Sequence, residues 1–183
     1  MNLLTLLREK FTTRIKKTDP PISIYETPAV EPRNIRNGFL TRPARGPVLM
    51  LDVDGVLHPA QSGSLCHLPI LEDWLRRHAA VDVVISSNWR DSHTFNELRG
   101  LFSSDLRERV IGTTPNLENA YREVEIMVLA RKYAIAHWVA LDDRMQEFPT
   151  VAQARLVATE YLIGLTSAHL ERLAKNLFGL HPL

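Results

Sequence analysis

The chain has 183 residues, 22 Lys+Arg against 21 Asp+Glu, 45% hydrophobic content and one cysteine, Cys66. That fits a single folded domain with a real core and excludes collagen-like, disordered and coiled-coil chains. A lone thiol excludes an internal disulfide framework and a multi-cysteine zinc site, which predicts a reducing, cytoplasmic setting. No apolar stretch approaches the ~20 residues of a membrane span.

Charge divides unevenly along the chain. Residues 1–46 carry a net +5 and the remainder −4, and this first segment holds Pro20, Pro21, Pro28, Pro32 and Pro43. It reads as a basic, Pro-rich N-terminal arm ahead of a domain over 47–183. Within it Leu3, Leu4, Leu7, Phe11 and Ile15 recur at helical spacing among basic residues. A short amphipathic helix of this kind suits a membrane-surface anchor, a transit peptide, a nucleic-acid arm or a docking contact.

From Pro47 onward short apolar runs alternate with helical patterns. Strands are predicted at Val48 to Leu51, Val81 to Ile85, Arg109 to Gly112, Trp138 to Leu141 and Leu156 to Thr159. Helices are predicted at Leu68 to His78, Phe95 to Leu106, 117–133 and Ser167 to Leu177, the third carrying a stripe of Leu117, Tyr121, Val124 and Val128. Strands without alternation are buried on both faces, so the order predicts an open α/β fold: a Rossmann-like parallel sheet between two helical layers.

In such sheets ligands bind beyond the carboxyl ends of the strands. The first strand ends in Asp52-Val53-Asp54-Gly55, the second in Ser86-Ser87-Asn88, and the strand from Trp138 in Asp142-Asp143. Four carboxylates gathered at one sheet edge repel one another unless a cation intervenes. Oxygen ligands, with no histidine cluster or thiol pair, favour a hard divalent ion, and Mg²⁺ suits few carboxylates plus water and phosphate. Asp52 can act as a nucleophile, and Asp54 as the acid and base of a two-step transfer. Ser87 can donate to phosphate oxygens.

These three endings, in this order, resemble the haloacid-dehalogenase-like (HAD) phosphohydrolases. The first motif is matched by Leu49-Met50-Leu51-Asp52-Val53-Asp54-Gly55-Val56-Leu57, the second by the run ending in Ser86-Ser87-Asn88, and the fourth by Ala140-Leu141-Asp142-Asp143. More narrowly, Asp52 to Pro59, Ser87-Asn88-Trp89-Arg90, Arg122 with Glu125-Ile126, and Gly164-Leu165-Thr166 are similar to the HAD domains of Swiss Army Knife RNA-repair proteins. The resemblance spans about 47–170 and implies a Mg²⁺-dependent phosphatase, acting on nucleic-acid ends or another large phosphorylated substrate. It implies Asp52 as nucleophile and metal ligand, and Asp54 as general acid/base that also lends its backbone carbonyl to the metal. Ser87 and Asn88 would hold the phosphate, and Asp142 and Asp143 the metal.

The family's third motif is a basic residue that neutralises the phosphoryl group. Arg122, Arg131 and Lys132 all precede the Asp142 strand. A helix entering from the carboxyl edge puts Arg122 near its start and Lys132 roughly 15 Å further along, which favours Arg122 beside an anion-binding helix N-terminus. Trp89 and Arg90 are expected at the substrate entrance, with His58 near a leaving group.

Only about a dozen residues separate the first motif from the next helix, and 88–138 is filled by helix, strand and helix. Neither place holds a large cap domain, so the site is expected to be open, with the basic arm available to attract a polymer. A receiver-like domain would carry its acidic pair at the first strand, the wrong order here. No Gly-rich Walker loop is present. The alternative is a catalytically idle binding module for phosphorylated partners or nucleic acid, against which the retained pair Asp52 and Asp54 stands.

Overall fold

The computed structural model describes residues 38–151 and 153–179. Its strands are β1 (Phe39–Leu40), β2 (Val48–Leu51), β3 (Asp82–Ile85), β4 (Val110–Thr113), β5 (Trp138–Asp142) and β6 (Leu156–Ala158). The α-helices are α1 (Leu68–Arg77), α2 (Phe95–Gly100), α3 (Arg122–Lys132) and α4 (Ser167–Phe178). One sheet runs β1-β4-β3-β2-β5-β6, parallel throughout except for β1, which pairs antiparallel with β4.

The unalternating apolar runs are explained by two cores. Leu49, Leu51, Val83 and Ile85 face one side, packing with Leu71 and Trp74 of α1, Leu98 of α2 and Leu173 of α4. Val48, Met50 and Val84 face the other, packing with Ile126 and Leu129 of α3. The chain steps from β2 outward through β3 to β4 with its helices on the first side. It then reverses direction to β5, and right-handed crossover puts α3 on the opposite side. This is the expected three-layer Rossmann-like fold, and the described residues include no cap domain. Among the described residues, no helix is long and apolar enough to cross a membrane.

Three details differ from the expectation. The third helix begins at Arg122 rather than 117, because Tyr121 is an extended N-cap (φ −67°, ψ 149°) and the Leu117 N–H is taken by the Glu125 carboxylate (2.9 Å). Its apolar stripe faces outward: Tyr121, Val124 and Val128 are exposed, and polar Arg122, Glu123 and Glu125 are buried. The second helix stops at Gly100, and the Glu72 carboxylate accepts from the Ser103 N–H (2.6 Å) where the helix would have continued.

Residues 38–46, read with the arm, supply edge strand β1. Arg42, one of the arm's basic residues, makes a two-pronged pair with Asp82 (2.6 and 2.8 Å). The rest of the arm, including its amphipathic stretch, lies outside the described residues.

Candidate active site

The strand order reverses between β2 and β5, so their carboxyl ends flank the crevice where an open α/β sheet binds ligands. Asp52 follows β2 directly, its N–H donating to Leu141 O (3.0 Å) and its Oδ1 accepting from the Val53 N–H (2.8 Å). Asp142 ends β5, its Oδ1 accepting from the Arg144 N–H (2.9 Å). Asp143 follows, half-buried. One carboxylate oxygen from each of Asp52, Asp142 and Asp143 lies within 4.8 Å of the other two.

Gly55 allows this approach. It sits at φ +67°, and a Cβ there would come 2.7 Å from Asp143 Cγ. Gly55→Ala therefore adds left-handed strain and pushes Asp143 aside. If the cluster takes a cation, Gly55→Ala is expected to weaken Mg²⁺ binding roughly tenfold or more, as read by calorimetric titration; unchanged affinity would mean that Asp143 holds no cation.

Arg122 is buried against this cluster. Its Nη1 lies 3.3 Å from Asp52 Oδ1 and 3.5 Å from Asp142 Oδ2, and its Nη2 donates to Asn88 Oδ1 (3.2 Å). Burial opposes its charge, but the Asp52 and Asp142 carboxylates outweigh that and hold its pKa above the ordinary value. Its backbone N–H donates to Glu147 Oε2 (3.2 Å), so a carboxylate already engages the helix N-terminus where sequence reasoning expected an anion. The other two basic residues are placed elsewhere. Lys132 donates to Gly38 O (3.0 Å), and Arg131 lines a separate cavity with Met127 and Trp138.

Burial first, then the Asp52 charge, push the Asp142 carboxyl up to about 8; the same two causes raise Asp143. Between the ordinary 3.8 and that value the folded chain holds a proton that the unfolded chain has released. Metal-free stability therefore falls as pH rises through this window. A cation bound here would require the carboxylate and expel the proton, so any stabilisation by Mg²⁺ would grow with pH. Melting curves at about pH 5 and about pH 8 check this: the upshift caused by Mg²⁺ should be larger at the higher pH, and equal upshifts would contradict it.

Asp54 stands apart from the other three carboxylates. Its Oδ1 lies 3.2 Å from His58 Nε2, and its Oδ2 accepts from Trp89 Nε1 (3.0 Å). Ser87 is fully buried, its Oγ accepting from the Trp89 N–H (3.4 Å) as it caps the short 3₁₀ turn Asn88–Asp91. Arg90 is not at an entrance. It is buried beneath the site, donating to Ser87 O (2.8 Å) and pairing with Glu125 Oε2 (2.8 Å), which ties the Ser87 loop to α3. Cys66 is exposed.

A cavity of about 90 Å³ opens over these groups, lined by Asp52, Asp54, Asn88, Arg122 and Asp143, and also by Gln61, Arg144 and Tyr161. Gln61 and Tyr161 come from loops with no motif spacing, and Arg144 follows the acidic pair directly without having been singled out.

The donor set fits a hard divalent cation. It offers only oxygens, closely spaced and partly buried, and three carboxylates outnumber the one guanidinium beside them. Asp52, Asp142 and Asp143 are the side chains that would hold it.

No curated protein and no solved structure matches the chain. The family described as the HAD domain in Swiss Army Knife RNA repair proteins matches residues 48–170, from the start of β2 into α4. With that match over most of its length, and the strand order and acidic crevice that the first, second and fourth motifs anticipate, the chain belongs to the HAD domain family of Swiss Army Knife RNA repair proteins.

Proposed function

We propose that the domain is a Mg²⁺-dependent phosphomonoester hydrolase that works through an aspartyl-phosphate on Asp52. The observation that carries this is Asp52 lining a cavity of about 90 Å³ with a buried guanidinium and two further carboxylates beside it. Asp52 Oδ1 is engaged by the Val53 N–H and faces Arg122, which leaves Oδ2 as the attacking oxygen.

In the first step Asp52 Oδ2 forms a bond to phosphorus and the ester P–O bond breaks. Asp54 passes its proton to the departing oxygen. In the second step water attacks phosphorus, Asp54 takes the water's proton, and Asp52 is released as phosphate leaves. Arg122 offsets charge on the phosphoryl oxygens, with Asn88, which also lines the cavity, as a further donor. Asp52, Asp142, Asp143 and the Asp54 carbonyl would hold the metal. When bound, Mg²⁺ supplies positive charge that lets the carboxylates and the phosphoryl group share one site.

The absence of a cap domain among the described residues suits a large substrate, and the family's description as a domain of RNA repair proteins favours a phosphorylated nucleic-acid end. A lone, exposed thiol suits the cytoplasm. Phosphate release from para-nitrophenyl phosphate and from end-phosphorylated RNA and DNA, with Mg²⁺ and with EDTA, tests the reading. Metal-dependent release is expected. A folded chain that binds Mg²⁺ and releases no phosphate from any of these would instead favour an idle binding module.

A further inference from the structure

Asp54 lies beyond the end of β2, outside the sheet, yet a residue that hands a proton to a leaving group must be aimed within hydrogen-bond reach of it. Resting on the phosphatase reading, we propose that His58 and Trp89 are positioning residues that grip the Asp54 carboxyl, one oxygen each, and aim it at the leaving oxygen.

The turn after β2 folds the chain back on itself, with Asp54 bridged to His58 and the Leu57 N–H donating to Val53 O (2.8 Å). This return brings the fully buried His58 ring beside Asp54, with Nε2 3.2 Å from Oδ1. Trp89 reaches the other oxygen from the end of β3, its Nε1 donating at 3.0 Å. The indole is itself held in place. It packs against the apolar core and stacks on His93, with ring centroids 4.8 Å apart and planes 12° apart.

A carboxyl group offers about four lone-pair sites, so one contact on each oxygen fixes the plane of the group and still leaves a site on each. Asp54 also lines the cavity, and its side chain keeps 27% of its exposure there. The clamp thus restrains the carboxyl without walling it off. Its partners come from two different strand ends, which makes the restraint a property of the assembled fold.

Misaiming a proton donor harms poor leaving groups most, because an alkoxide needs its proton during departure and a nitrophenolate does not. Kinetics with Mg²⁺ on glycerol phosphate and on para-nitrophenyl phosphate therefore separate positioning from packing. Trp89→Phe keeps the ring and removes the donor. It should lower kcat on glycerol phosphate by roughly tenfold and on the nitrophenyl ester by less than about threefold. His58→Ala should show the same bias, and His58→Gln, which keeps a polar side chain against that face of the carboxyl, should recover part of the loss. In an Asp54→Asn background Trp89→Phe should cost nothing further. Melting temperatures identify any variant that fails to fold, and the remaining variant then carries the comparison. Equal losses on both esters, or the full Trp89→Phe loss persisting without the Asp54 carboxylate, would overturn the clamp while leaving the phosphatase reading intact. A wild-type chain that hydrolyses neither these esters nor a phosphorylated oligonucleotide would overturn both.

Discussion

Asp52→Asn is expected to abolish phosphate release, by roughly 10⁴-fold or more, without unfolding the protein. Asparagine keeps the shape of the side chain and an oxygen to accept from the Val53 N–H, so the local backbone contact survives. What disappears is the anionic oxygen that would bond to phosphorus, and an amide is no substitute nucleophile. The charge lost is one that crowds its neighbours: Asp52 contributes to the raised pKa of both Asp142 and Asp143. The metal-free variant should therefore melt no lower than the wild type. Inactivity together with a collapsed melting temperature would mean that Asp52 matters for folding. Retained turnover would remove it from the chemistry altogether.

Arg122→Met should act on both stability and rate. The side chain is 2% exposed and faces two carboxylates that are themselves 5% and 2% exposed. Methionine fills similar space but leaves the buried Asp52 charge unopposed, and breaking a buried pair in this way costs about 3–5 kcal/mol. At about 2–4 °C per kcal/mol for a domain of this size, metal-free melting should fall by roughly 6–20 °C. Mg²⁺ should restore more stability to the variant than to the wild type, because it replaces the missing positive charge. Turnover should stay depressed by roughly 10³-fold even with metal, since the guanidinium's charge on the phosphoryl oxygens is not replaced. Lys132→Met and Arg131→Met are the controls. Lys132 is occupied with the Gly38 carbonyl and Arg131 faces a different cavity, so neither change should alter turnover by more than about twofold. A rate loss at either position that exceeds the loss at Arg122 would reassign the phosphate's cation.

The parts of this fold legible in the sequence were those set by local pattern. Val48 to Leu51 and Trp138 to Leu141 lack alternation because helices cover both faces of their sheet. The polar residues that end such runs fall at the carboxyl edge by topology alone, and Asp52, Asp142 and Asp143 do converge there.

What resisted reading was fixed by partners distant in sequence. The inner face of α3 carries Arg122, Glu123 and Glu125, a pattern that looks solvent-facing until its partners are known. Glu123 accepts from Thr150 and Val151, and Glu125 meets Arg90 and Leu117. With those polar groups satisfied inside, the apolar Tyr121 and Val124 were free to turn outward, and the hydrophobic stripe pointed to the wrong face. Strand β1 is two residues long and pairs with β4 about 70 positions away, so no periodicity announces it. The grip of His58 and Trp89 on Asp54 joins positions from two loops in the same way.

The central claim is that the Asp52 carboxylate itself takes the phosphoryl group. Rapid acid quench of the enzyme during turnover with Mg²⁺, followed by mass spectrometry of the peptide that carries Asp52, tests this most directly. A phosphoryl adduct on Asp52 that forms with substrate, decays as substrate is consumed and persists longer in Asp54→Asn is the expected result. Metal-dependent phosphate release with no adduct on Asp52 in either protein would show that water attacks the phosphate directly, and would contradict the account.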